Sequence, residues 1–225
     1  GLDFLQKQSD VEFIDYSHLK KDELLEKLED ADVAITRSST DVNEKFINAA
    51  HKLKAVVRAG VGVDNVDIDA CSKKGIIVMN VPTANTIAAV ELTMAHIINS
   101  VRNFPGANNQ LKNEKIWKRE DWYGTELKGK TLGIIGFGNI GSRVASRAKA
   151  FEMEVIAYDP YVKDSVIIDA GMVCAKHIDD ILKCDIITVH TPKNSETKNM
   201  ITKNEIAKMK DGVILINCAR GGLYN

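Results

Sequence analysis

The stretch T-L-G-I-I-G-F-G-N-I-G, residues 131–141, decides how the chain reads. Leu132, Ile134 and Ile135 make the short apolar run of a buried strand, and Gly136-Phe137-Gly138-Asn139-Ile140-Gly141 breaks it. Apolar residues resume at helical spacing in Val144, Ala145 and Ala148, and a second strand, Val155 to Tyr158, closes on Asp159. Strand, glycine turn, helix, strand and acid in that order form a dinucleotide-binding pattern. Each glycine has a separate task in it. Gly136 allows the sharp exit from the strand, Gly138 lets the backbone approach a pyrophosphate, and Gly141 lets the helix pack close to the sheet. Asp159 lies about 20 residues beyond the turn, where a carboxylate accepts both ribose hydroxyls and repels a 2′-phosphate. The cofactor implied is NAD rather than NADP.

The alternation extends in both directions. Upstream, the pattern predicts strands at Val11–Tyr16, Val33–Thr36, Ala55–Val57 and Ile76–Met79, with helices at Asp22–Leu28, Asn43–Ala50 and Asp67–Lys74. Pro82 then interrupts, a long helix runs from about Asn85 to Val101, and a further helical stretch covers Pro105–Ile116. Downstream of Asp159, strands at Met172–Cys174, Asp185–Val189 and Val213–Asn217 alternate with helices at Ile178–Leu182 and Lys203–Met209. The reading is α/β: two doubly wound parallel-sheet domains, residues 1–82 and 83–225, with helices on both faces of each sheet. In such sheets ligands bind beyond the C-terminal strand ends. Arg37, Arg58, Asn80, Asp159, His190 and Arg220 all sit at or just past such an end.

Composition narrows the classes. With 225 residues, 44% hydrophobic, and a net charge of −1, the chain is an ordinary globular one with no basic excess to attract nucleic acid or a membrane surface. No apolar run reaches the roughly 18–20 residues of a spanning helix. The four cysteines are dispersed, which suits free thiols in a reducing cytoplasm, and the five histidines stand apart, so no metal site is expected.

Four segments together resemble the D-isomer-specific 2-hydroxyacid dehydrogenases. They are R-A-G-V-G-V-D-N-V-D (58–67), N-V-P-T-A-N-T-I-A-A-V-E-L-T (80–93), the glycine turn with its following D-P, and I-N-C-A-R-G-G (216–222). Within that family the likeness is greatest to the members acting on 3-phosphoglycerate, at the head of serine biosynthesis. The resemblance implies a flavodoxin-like substrate domain, a Rossmann NAD-binding domain, and hydride transfer between a 2-hydroxy acid and nicotinamide. It makes Arg220 the catalytic residue that grips the substrate carboxylate and polarises the reacting oxygen, and that also lines the cofactor. A guanidinium suits this, offering paired donors and keeping its charge. The Val61 and Gly62 amides would bind the same carboxylate. Arg37 and Arg58 would take a substrate phosphate, with Ser38 and Asn80 beside them. Asn139 and Ile140 would present amides to the pyrophosphate, while His190, Thr191, Pro192, Cys218 and Ala219 would line the cofactor. A homodimer through the NAD-binding domain follows by analogy.

The chain also departs from the family pattern. The acid–base histidine and its glutamate are expected downstream of Asn225, and a first strand is expected ahead of Leu2. The sequence is therefore expected to be a fragment, inactive alone. The competing readings are a glyoxylate, hydroxypyruvate or D-lactate reductase, and a non-enzymatic NAD-sensing corepressor of the same fold.

Overall fold

Two parallel sheets carry the chain. The computed structural model describes residues 2–225, and contacts divide it after Pro82 into two compact units. In the first, β1 (Val33–Thr36), β2 (Ala55–Arg58) and β3 (Ile77–Asn80) lie side by side in that order. Helices α1 (Leu2–Leu5) and α2 (Lys21–Leu25) precede them, while α3 (Glu44–Ala49) and α4 (Ile68–Lys73) connect them. Asn43 starts α3 by accepting a hydrogen bond from the Phe46 amide, and Asp67 starts α4 in the same way from Ala70.

Successive parallel strands joined by crossovers of one hand place their helices on one face. Leu24 and Leu25 of α2, Phe46 and Ile47 of α3, and Cys71 of α4 accordingly pack on Ala34, Val56 and Val78. Because side chains alternate across a strand, the next residues face the other way. There Val33, Ile35, Ile77 and Met79 are 53%, 51%, 63% and 44% exposed, so among the described residues this sheet is covered on one face.

The expected strand at Val11–Tyr16 is absent. Its alternating pattern is real, but its backbone pairs with no other strand among the described residues, and Val11 and Ile14 are exposed. A strand without a ladder loses chain entropy and gains no hydrogen bonds. The helix expected at Pro105–Ile116 is also divided. It runs as α6 (Phe104–Asn109) and continues in a π turn, Gln110–Glu114, which Lys115 ends at φ 60°. Residues 203–209 yield only the short helix Lys203–Ile206.

The second unit opens with α5 (Thr86–Arg102). Its sheet contains β4 (Thr131–Ile135), β5 (Glu154–Tyr158), β6 (Val173–Cys174), β7 (Ile186–Val189) and β8 (Ile214–Asn217), all parallel in the order β6-β5-β4-β7-β8. That is the 3-2-1-4-5 order of a Rossmann sheet, whose direction of winding reverses between β4 and β7. Leu132 and Ile134 of β4 pack with Val90, Met94 and Ile97 of α5 and with Val144, Ala145 and Ala148 of α7 (Gly141–Ala150). On the other face Ile135, Ile187 and Val189 pack with Ile181, Leu182 and Cys184. Burial of each such aliphatic side chain contributes roughly 1.5–3 kcal/mol. Gly133 allows that second layer to sit tightly, since a Cβ there would lie 2.6 Å from Ile181 Cγ2.

Candidate functional site

The turn after β4 is built by backbone contacts. Gly136 has φ 95°, which favours glycine, and its amide donates to the Tyr158 carbonyl at 2.9 Å. A Cβ on Gly136 would also lie 2.9 Å from the His190 carbonyl, so the turns after β4 and β7 meet at the switch point. Gly138 differs, with nothing within 4 Å of the place a Cβ would take. The amides of Gly138, Asn139 and Ile140 donate to no acceptor among the described residues, and they precede the first turn of α7. Open space and unused donors at a helix start suit a pyrophosphate.

Asp159 ties this turn to β5. One carboxylate oxygen accepts from the Phe137 amide at 2.8 Å, the other from the Tyr161 amide at 2.9 Å. Each oxygen still has a lone pair for a ribose hydroxyl. At the end of β7 the His190 amide donates to Ile135 O at 2.8 Å, and Nε2 lies 3.1 Å from Thr188 Oγ1. Burial pushes the His190 imidazole down to about 4, so it is neutral at physiological pH. Thr191 and Pro192 follow it at the same edge.

Beyond β8, Asn217 shapes the next turn. Its Oδ1 accepts from the Ala219 amide at 3.0 Å and its Nδ2 donates to Arg220 O at 2.9 Å. Cys218, Ala219 and Arg220 are thereby held in one conformation, with Arg220 half-buried and its Nη1 donating to Ala219 O at 2.8 Å. The end of β8 is two strands from the end of β4, about 10 Å at the usual spacing. No periodic pattern marks Asn217 in the sequence. Its signal is an Asx residue closing a strand immediately before a turn.

In the first unit, Arg37 and Ser38 follow β1, Arg58 ends β2 and Asn80 ends β3. Thr36, Arg58 and Asn80 are partners in register, so these residues share one edge. Asn80 Nδ2 donates to Val61 O at 2.7 Å and the Val81 amide to Gly60 O at 2.9 Å. These bonds pin the loop while the Val61 and Gly62 amides donate to no acceptor among the described residues. That leaves two donors for a carboxylate.

A cavity of about 390 Å³ lies elsewhere, at the N-terminal ends of β4, β7 and β8, lined by Lys130, Asp185 and Lys210 among others. Burial there would raise the Asp185 carboxyl. The Lys210 ammonium at 2.7 Å and two donors from Thr131 outweigh burial and hold it at about 2. This is a structural ion pair at the edge opposite the glycine turn.

Comparison with known proteins agrees with this geometry. Residues 94–225 match the family model described as D-isomer specific 2-hydroxyacid dehydrogenase, NAD binding domain. The chain is 48% identical over 208 residues to the D-3-phosphoglycerate dehydrogenase of Methanocaldococcus jannaschii, covering 92% of this chain and 40% of that protein. It is 45% identical over 224 residues to the Bacillus subtilis enzyme of the same name, covering 99% and 42%. The chain thus spans about two fifths of these relatives. Among solved structures it superimposes on the D-lactate dehydrogenase of Aquifex aeolicus, complexed with NAD and lactic acid. The TM-score is 0.82 and the identity 34%, over 93% of this chain and 62% of that one. The matched region is an NAD-binding domain, so the cofactor is NAD. With more than half its length under the family model, the chain belongs to the D-isomer-specific 2-hydroxyacid dehydrogenases.

Proposed function

We propose that the full-length protein is an NAD-dependent dehydrogenase of a D-2-hydroxy acid, with 3-phosphoglycerate as its substrate, working in the cytoplasm at the start of serine biosynthesis. The observation that carries this reading is Arg220, held by Asn217 at the same sheet edge as a glycine turn with unused amides. The relatives' names support the choice of substrate. NAD, when bound, supplies the nicotinamide that takes the hydride. The Arg220 fork holds the carboxylate and polarises the C2 oxygen. Arg220 steadies the negative charge on the C2 oxygen as its hydroxyl proton leaves to a base and C2 gives up hydride with its electron pair, leaving a carbonyl. Preorganised donors of this kind are typically worth roughly 3–4 kcal/mol. Val61 and Gly62 add donors to the carboxylate, and Arg37 and Arg58, with Ser38 and Asn80, hold the phosphate. Gly138, Asn139, Ile140 and Asp159 hold the nucleotide, and His190, Thr191, Pro192, Cys218 and Ala219 line it.

A homodimer through the second unit is part of the proposal. Ile87 and Leu92 of α5 and Phe104, Leu111, Ile116, Trp117 and Tyr123 after it are 46% to 75% exposed, an apolar surface suited to a partner. Among the described residues no helix is long and apolar enough to cross a membrane.

The competing reading, a reductase of an unphosphorylated keto acid, draws on the likeness to the A. aeolicus enzyme. NADH formation by the full-length protein separates the two. The proposal expects 3-phosphoglycerate to be oxidised at least tenfold more efficiently than D-glycerate or D-lactate. Equal or reversed efficiency contradicts it.

A further inference from the structure

We propose that Asn65 is a positioning residue, whose side-chain amide locks the two arginine-bearing loops together so that Arg37 and Arg58 act as one phosphate clamp. This rests on the assignment of those arginines to a substrate phosphate. Asn65 Nδ2 donates to Arg37 O at 3.0 Å and to Thr40 O at 2.5 Å. Its Oδ1 accepts from Arg58 Nε at 3.5 Å. One amide thus uses both donor hydrogens on the loop after β1 and its acceptor on the residue that ends β2.

The amide is itself fixed. The Val42 amide donates to Asn65 O, and the Asp67 amide to Val42 O, each at 2.8 Å, around the isolated bridge between Val42 and Val66. The side chain therefore projects from a backbone that cannot drift from the β1 loop. The Oδ1 contact uses the Nε–H of the guanidinium, on the same side of the fork as Nη2. Nη1 makes one long bond, 3.3 Å, to Ala59 O. A dianion needs several charge-assisted donors converging on it, and two long arginine side chains converge only if something limits their freedom.

A second feature constrains the same guanidinium. It lies against Gly60, where a Cβ would stand 1.6 Å from Arg58 Nη1 and 2.9 Å from Cζ. The obstructed atoms are the far end of a flexible side chain, so Gly60→Ala displaces Arg58 without disturbing the backbone. Asn65 Oδ1 reaches the arginine through one long bond on one side, and Gly60 leaves it room on the other.

The test is steady-state kinetics of the full-length enzyme with NAD. Asn65→Ala is expected to raise KM for 3-phosphoglycerate at least tenfold with kcat within threefold and KM for NAD unchanged. In an Arg58→Ala background the same substitution is expected to add less than twofold, because nothing remains to be positioned. Gly60→Ala is expected to raise KM as Asn65→Ala does, with an unchanged Tm, and stands in should the asparagine variants fold poorly. The proposal is overturned if Asn65→Ala and Gly60→Ala leave KM within twofold. It is equally overturned if Asn65→Ala multiplies KM by the same factor with and without Arg58, the mark of a loop staple. If Arg37→Ala and Arg58→Ala themselves leave KM unchanged, the phosphate assignment falls and the clamp with it.

Discussion

Gly141 stands so close to Gly136 that a Cβ on it would lie 2.0 Å from the Gly136 carbonyl oxygen. Three residues earlier, Gly138 has open space at the same position. Two glycines of one motif are thus required for different reasons, and substitution separates them. Gly141→Ala forces backbone apart at the start of α7, and we expect a loss of about 3 kcal/mol, the upper range for overpacking. Gly138→Ala is expected to change stability by less than about 1 kcal/mol while weakening NAD binding at least tenfold. Urea unfolding and NAD titration of both variants check this, and equal losses of stability would contradict it.

His190 gives the second unit a pH dependence of definite sign. Its folded value of about 4 lies below the ordinary 6.5 because burial penalises the imidazolium. The unfolded chain therefore binds the proton first on acidification. The contribution is complete above pH 6.5 and is lost as pH falls toward 4, reaching about 3 kcal/mol at the rate of ~1.4 kcal/mol per unit. His190→Gln is expected to flatten this part of the stability profile. Parallel profiles for the two proteins between pH 7 and 4 would refute the assignment.

Thr36 sits at the end of β1, 5% exposed, with an Oγ1 that has no hydrogen-bond partner among the described residues. A buried hydroxyl left unpaired is a net cost. Thr36→Val keeps the branched shape and removes the oxygen, so stability is expected to rise by about 1 kcal/mol. A lower Tm for the variant would show that the hydroxyl is bonded.

Most of the second unit was legible in the sequence because its signals are local. Apolar runs of four or five residues, glycines at fixed offsets and an acid closing the next strand place β4, α7 and β5 without knowledge of tertiary contacts. The misread Val11–Tyr16 shows the limit. Its alternation reports which side chains prefer burial, whereas a strand exists only if another backbone pairs with it, and that partner is not encoded in the segment itself. Asn65, in a loop, and Asn217, at a strand end, have no periodic signature as polar residues. Their importance lies in three-dimensional partners, Arg37 and Thr40 for one and Arg220 for the other.

Catalysis depends most on the guanidinium of Arg220 as a two-pronged donor and not merely a positive charge. Arg220→Lys keeps the charge and removes the fork. We expect kcat/KM for 3-phosphoglycerate oxidation by the full-length enzyme to fall roughly a hundredfold or more. A lysine variant within threefold of the parent would contradict the central claim.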